Sequence, residues 1–179
     1  SKAMKQPQHQ RGVVLIMSLV MLVIISLLAT ITMKSALSSE SISGNVRLNQ
    51  LAHQSAEAAL RLCENAVIQT LSGTAVSGFV IQPQSSVPLG NSTTVWDTVG
   101  NPAVYAVPLN SVNNNGQPYQ RPPECIAEQL APAGSPQADM LIAITARGFG
   151  PEVPGLSDGA TSRRPAGSEV FLQSTIELQ

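Results

Sequence analysis

The sequence predicts an α+β chain in which one long N-terminal helix packs on a small antiparallel sheet. Three observations carry this. An uncharged apolar run covers Val13–Met33, a proline-free stretch with helical spacing continues to Leu71, and two segments near the C-terminus alternate with a period of two.

The apolar run comes first. Its 21 residues contain neither charge nor proline, and as a helix they extend about 31 Å, enough to cross the hydrocarbon core of a bilayer. Lys2, Lys5, His9 and Arg11 precede it and Lys34 closes it. Three kinds of membrane segment compete for this pattern. A cleaved secretory signal has an apolar core of about 7–15 residues and a small-x-small site after it. This run is longer, and Ala29-Thr30-Ile31-Thr32 makes a poor site. A signal anchor fits the length, with the basic flank on the cytoplasmic side. A class III leader, cut before the run at Gly12–Val13, leaves the apolar segment as the new N-terminus. Glycine suits such a site because a protease must approach the backbone closely.

From Ser35 to Leu71 the helix continues as an amphipathic one. Leu37, Ile42, Val46, Leu51, Ala52, Ala56, Ala59, Leu60, Cys63, Val67 and Leu71 recur in steps of three to five. Arg47, Gln50, Gln54, Glu57, Arg61, Glu64 and Asn65 lie opposite, with Glu57 and Arg61 in the favoured i,i+4 order. Gly44 is the weak point, costing about 1 kcal/mol relative to alanine, and Gly73 is the natural stop. The whole helix of about 60 residues extends near 90 Å if straight.

After the helix, Val76–Ile81 and Val104–Leu109 are candidate strands among turn signals at Pro83, Pro88, Gly100-Asn101-Pro102 and Asn113–Gly116. The asparagine run lacks the acidic residues that a calcium loop requires and reads as a turn. Cys125–Leu130 is a further candidate strand, followed by a Pro/Gly/Ala loop. Met140–Arg147 and Val170–Leu178 alternate cleanly, separated by a loop of about 20 residues that contains Arg163-Arg164. That arginine pair reads as a solvated loop tip, with anion or partner binding as the functional alternative. Three or four antiparallel strands against the apolar helix face satisfy these patterns.

Composition narrows function. The chain has 179 residues, a mean hydropathy of +0.12 and 3% aromatic residues, so a thin core of Val, Ile, Leu and Ala is expected. Removing residues 1–12 leaves seven basic and eleven acidic side chains, a net charge of −4, which argues against a general nucleic-acid-binding surface. Beyond the membrane both cysteines lie where disulfides persist, and a Cys63–Cys125 bridge closes a 62-residue loop for about 4 kcal/mol. Two unrelated buried thiols are the alternative. No CxxC, Cys/His metal spacing, GxSxG, HExxH, phosphate loop or dinucleotide fingerprint occurs. His53, the one histidine after residue 12, sits on the amphipathic helix as a solvated or interfacial group. No enzyme, cofactor or metal site is expected.

These residues carry a resemblance. Arg11-Gly12 with the run from Val13, the segment Ser41–Arg47, and Gln50–Arg61 look like the N-terminal region of PilX-type minor pilins of type IV pili. Ile144–Gly148 and Val170–Thr175 resemble that family's last strands. The resemblance implies a pilin-like fold with a leader (1–12), a transmembrane and assembly helix (13–33), its amphipathic continuation (34–72) and a β-rich head (73–179). It implies that a prepilin peptidase cuts after Gly12 and that Val13 is N-methylated. The protein then spans the inner membrane once, with a periplasmic head, and passes into the pilus on assembly. There it helps to initiate assembly at the tip and supports twitching motility, adhesion or DNA uptake. Implied partners are the other minor pilins, the major pilin and the assembly platform, without direct nucleic-acid binding. One position departs from the family: Met17 stands where most pilins carry glutamate. A type II secretion pseudopilin and a membrane-anchored periplasmic binding or sensor domain are the alternative readings.

Overall fold

The computed structural model describes residues 11–112, 119–130 and 140–178. The expected turn at Asn113–Gly116, the Pro/Gly/Ala loop and most of the basic leader lie outside the described residues. Helix α1 runs from Arg11 to Leu71 without interruption, Gly44 included. The chain divides within it into two units, up to Asn45 and from Val46 onward. In the first unit α1 is long and apolar enough to cross a membrane and buries none of its apolar window.

In the second unit α1 buries one stripe: Ala52, Ser55, Ala56, Ala59, Cys63, Ala66 and Val67. These are small side chains at helical spacing, and they let the helix lie close to what it covers. It ends as expected. The Gly73 N–H donates to Thr70 O (3.2 Å) and Thr74 N–H to Gln69 O (2.9 Å), with Gly73 at φ +92°. That pair of bonds is a Schellman stop, and glycine enters the left-handed region without a Cβ penalty.

The sheet has five strands: β1 (Ile81–Gln82), β2 (Tyr105–Ala106), β3 (Glu124–Gln129), β4 (Met140–Phe149) and β5 (Glu169–Leu178). β3, β4 and β5 form an antiparallel meander, β2 joins β3 antiparallel, and β1 joins β3 parallel. The sheet is therefore mixed, not the purely antiparallel one expected. The two candidate strands before residue 110 shrink to two residues each, because both compete for the one free edge of β3. Short helices α2 (Thr93–Asp97) and α3 (Leu109–Val112) and a 3-10 turn (Leu89–Asn91) fill the connections.

β3 and β4 are covered on both faces. Cys125, Ala127, Ile142, Ile144 and Ala146 face α1 and join Ala59, Cys63, Ala66, Val67, Phe79 and Val107 in the main core. On the other face Ile126 packs under Trp96 and Val104, with Leu89 and Val95 at the margin. The core is richer in aromatics than composition implied: Trp96, Phe79, Phe149 and Tyr119 are all buried. Cys63 and Cys125 form the expected disulfide, with a Cα–Cα distance of 6.6 Å, tying α1 to the middle of the sheet.

Two glycines set how closely the layers approach. A Cβ on Gly148 would strike the α1 backbone at Ala52 O and Ala56 N and Cα, and one on Gly90 would strike the Thr145 side chain. β4 thus crosses α1 backbone to backbone, and the 3-10 turn lies flush on the sheet. Glu128 holds that turn, accepting from Leu89 N (2.8 Å) and Gly90 N (3.1 Å).

Candidate functional site

The apolar segment is one candidate. Gly12 and Val13 lie in the first turn of α1, and a Cβ on Gly12 would meet nothing within 4 Å. Every apolar side chain from Val13 to Met33 is open, Met17 at 65% exposure among them. The polar residues of the segment are satisfied within the helix. Ser18 Oγ donates to Leu15 O (2.9 Å), Ser26 Oγ to Leu22 O (3.2 Å), Thr30 Oγ1 to Leu27 O (2.8 Å) and Thr32 Oγ1 to Ala29 O (2.9 Å). The hydroxyls therefore leave no unpaired donor to be desolvated in an apolar medium. What they offer a neighbouring helix is small size.

The second candidate is a buried charge cluster on the sheet face away from α1. Glu124, fully buried on β3, receives Arg163 Nη2 at 2.6 Å and Arg121 Nη2 at 3.2 Å, with Arg147 Nη1 at 3.9 Å. Arg147 on β4 also reaches Asp97 (3.2 Å) and Glu169 (2.9 Å) and donates to Trp96 O (3.3 Å). Its guanidinium packs among the rings of Phe149, Phe171 and Trp96 at 5.2, 5.5 and 5.9 Å. Arg121 lies over Phe149 at 4.1 Å and donates to Arg163 O at 2.6 Å. Three guanidiniums thus meet three carboxylates, and the side chains come from β3, β4, β5, α2 and two loops. Burial pulls the Arg121 guanidinium below its usual value, partly offset by Glu124. Burial likewise pushes the Tyr119 phenol up while its hydroxyl bonds Leu51 O at 2.9 Å. The arrangement is a structural lock in which each charged group is paired across elements.

Two expectations are corrected here. Arg163 is not a solvated loop tip: its side chain is buried on Glu124, while Arg164 beside it stays exposed. Glu57 lies 3.5 Å from His53 Nε2, and the expected Glu57–Arg61 pair is absent among the ion pairs of the described residues. His53 is half-exposed, as its place on the polar face implied. Among the described residues no group of three His, Cys, Asp or Glu is placed to hold a metal. Sequence reasoning missed the Arg121/Glu124/Arg147/Arg163 cluster. Its one visible sign was the Glu124↔Arg147 cross-strand pair, which needs the strand register to be seen.

The third feature is a cleft beside β5. One stretch, about 390 Å³, is lined by Asn91, Trp96, Thr145, Phe171 and Gln173. A second, about 160 Å³, shares Thr93, Trp96 and Phe171 with it and adds Asp97, Arg164 and Glu169.

Compared with known proteins, residues 11–61 match the family model described as PilX N-terminal. The match covers the apolar half of α1 and its continuation as far as Arg61. No curated protein and no solved structure matches the chain.

Proposed function

We propose that this chain, a PilX-type minor pilin of the type IV pilus, is cut between Gly12 and Val13, methylated on Val13 and used to initiate pilus assembly at the tip. The observation that carries this reading is the family match over residues 11–61, which begins at Arg11-Gly12, where the basic leader meets the apolar run. Before assembly the chain spans the inner membrane once through residues 13–33, with its head in the periplasm. The prepilin peptidase, the assembly platform, other minor pilins and the major pilin are its partners. Its role is structural rather than enzymatic, and through the pilus it serves twitching motility, adhesion or DNA uptake.

The mechanism is an exchange of environments. The apolar segment leaves lipid for a filament core, so the move costs little desolvation, and Ser18, Ser26, Ala29, Thr30 and Thr32 let neighbouring helices approach. Met17 separates this subunit from its family. A glutamate there is expensive in an apolar medium unless it pairs with a neighbouring subunit's N-terminal amine. Met17 avoids the cost and forgoes the pair, which suits a subunit that starts a filament rather than one recruited along it.

Mass spectrometry of the mature protein from sheared pili tests the reading. The expected result is an N-methylated Val13 terminus with Cys63 and Cys125 bonded; finding Ser1–Gly12 still attached to a cell-bound protein overturns it. Met17→Glu is expected to raise the copy number and spread the subunit along filaments. An unchanged level and distribution sinks the account given for Met17.

A further inference from the structure

Edge strands normally carry features that stop another strand from adding: short length, proline, lysine or a bulge. β5 has none of these, and its only charges are the carboxylates Glu169 and Glu177 near its two ends. Its ten residues pair with β4 in unbroken register from Phe149↔Glu169 to Met140↔Leu178. They include no proline or lysine, and among the described residues no strand pairs with the other side. Alternate backbone N–H and C=O groups of β5 therefore point away from the sheet as free partners.

The cleft lies along this strand. The 3-10 turn and α2 roof β3 and β4 but leave the same face of β5 open, so Phe171, Gln173, Thr175 and Glu177 are exposed. Phe171 meets Trp96 edge-on at 5.4 Å and forms the apolar wall of the cleft. The larger stretch is lined by no charged residue. A strand laid beside β5 presents every second side chain to this face, where the cleft accepts an apolar one.

Charge selects among occupants. β5 carries a carboxylate near each end, Glu169 and Glu177, and no base. Glu169 is engaged by Arg147, while Glu177 makes no ion pair among the described residues. Two copies of β5 paired antiparallel about Gln173, which keeps the same face of both strands on one side, place Glu169 opposite Glu177 at both ends, and directly opposed like charges destabilise a strand pair. The edge is thus biased against its own copy and toward a strand carrying a base.

We propose that β5 is a docking edge for an extended segment of a different protein. That segment adds as a further strand, seats an apolar side chain beside Phe171 and Trp96, and sets a Lys or Arg against Glu177. Main-chain pairing supplies affinity, and the cleft and the carboxylate supply selection. The inference goes beyond assembly function, and its failure leaves the pilin reading untouched.

Trp96 is the single tryptophan of the chain, so its fluorescence reports on the cleft directly. The test titrates the full chain in detergent micelles with the acetylated peptide Lys-Thr-Val-Thr-Phe-Thr-Val-Thr-Lys and two N-methylated isomers. One isomer is methylated at the three Val and Phe amides, the other at the first three Thr amides. Strand addition uses only one of these sets, so one isomer is expected to bind at least about tenfold more weakly than the other. Glu177→Gln is expected to weaken the parent peptide about threefold at low salt, a difference that salt erases. A saturable change that is equal for both isomers, or no change at all, overturns the proposal. So does a concentration-dependent dimer of the chain that the peptide disrupts, since β5 would then be covered by a second copy.

Discussion

The two halves of α1 use one backbone for opposite purposes. Through Val13–Met33 the helix is apolar on every side and buries nothing against its own chain. From Val46 to Leu71 it buries a single stripe of small residues against the sheet and leaves the rest open. The first half is shaped for partners outside the chain, where lipid and neighbouring helices are interchangeable solvents. The second is shaped for one fixed partner, with side chains so small that β4 touches the helix backbone. What distinguishes the two is where the apolar side chains lie: on every side in the first half, and on one buried stripe of small residues in the second.

Substitutions break or sharpen this contrast. The largest effect is expected in the head at Arg147, which joins Glu124, Asp97 and Glu169 across three elements. Arg147→Ala leaves a buried carboxylate less compensated and is expected to cost about 3–5 kcal/mol, read as a drop in the urea midpoint of the head. Met17→Leu in the apolar half leaves that midpoint unchanged. An equal shift from both would erase the division between apolar span and folded head.

Two glycines come next, with opposite signs: Gly148 of β4, which abuts the second half of α1, and Gly44 between the two halves. Gly148→Ala drives a methyl into the helix backbone at Ala52 and Ala56 and is expected to cost about 1–3 kcal/mol as overpacking. Gly44→Ala meets nothing within 4 Å and is expected to add about 1 kcal/mol of helix stability, visible as slower amide exchange around residue 44. A neutral Gly148→Ala would mean that the layers are less closely apposed than described.

The smallest effect is a pH dependence. Burial raises the Glu152 carboxyl, but hydrogen bonds from the Ser168 amide (2.8 Å) and hydroxyl outweigh it and hold the group below the ordinary carboxylate value of 4.5. A depressed carboxylate stabilises the folded state above its unfolded pKa. That contribution is lost as pH falls from about 4.5 through the lower folded value. Glu152→Gln is expected to flatten this part of the pH–stability curve, while the variant and the parent converge at still lower pH. Since Ser168 Oγ also lies 3.4 Å from Leu48 O, the change is felt where the long loop meets α1.

Much of this was legible in the residues. The Gly73 stop and the span of β5 needed only spacing and glycine chemistry. β3 and β4 were also read to within two residues at each end. The cysteine pairing followed from compartment and count. Arg163 was not legible: two arginines among prolines and glycines look solvated, and the partner, Glu124, lies 39 residues away in sequence. Nor was the cover on the second sheet face. Alternation in β4 looks the same whether its outer residues face water or Trp96, so the strand reads as half-buried until a distant segment is laid over it.

By itself the sequence determined the long helix, its change from all-round apolar to amphipathic and the meander that follows it. Each of these is set by neighbours within a few turns or a single strand. Only the tertiary structure decided that β1 runs parallel to β3, that three arginines converge on one buried carboxylate, and that β5 lies beside an aromatic cleft with no described strand on its outer side. Those outcomes depend on which distant segments compete for the same edge or face, and local spacing carries no record of that competition.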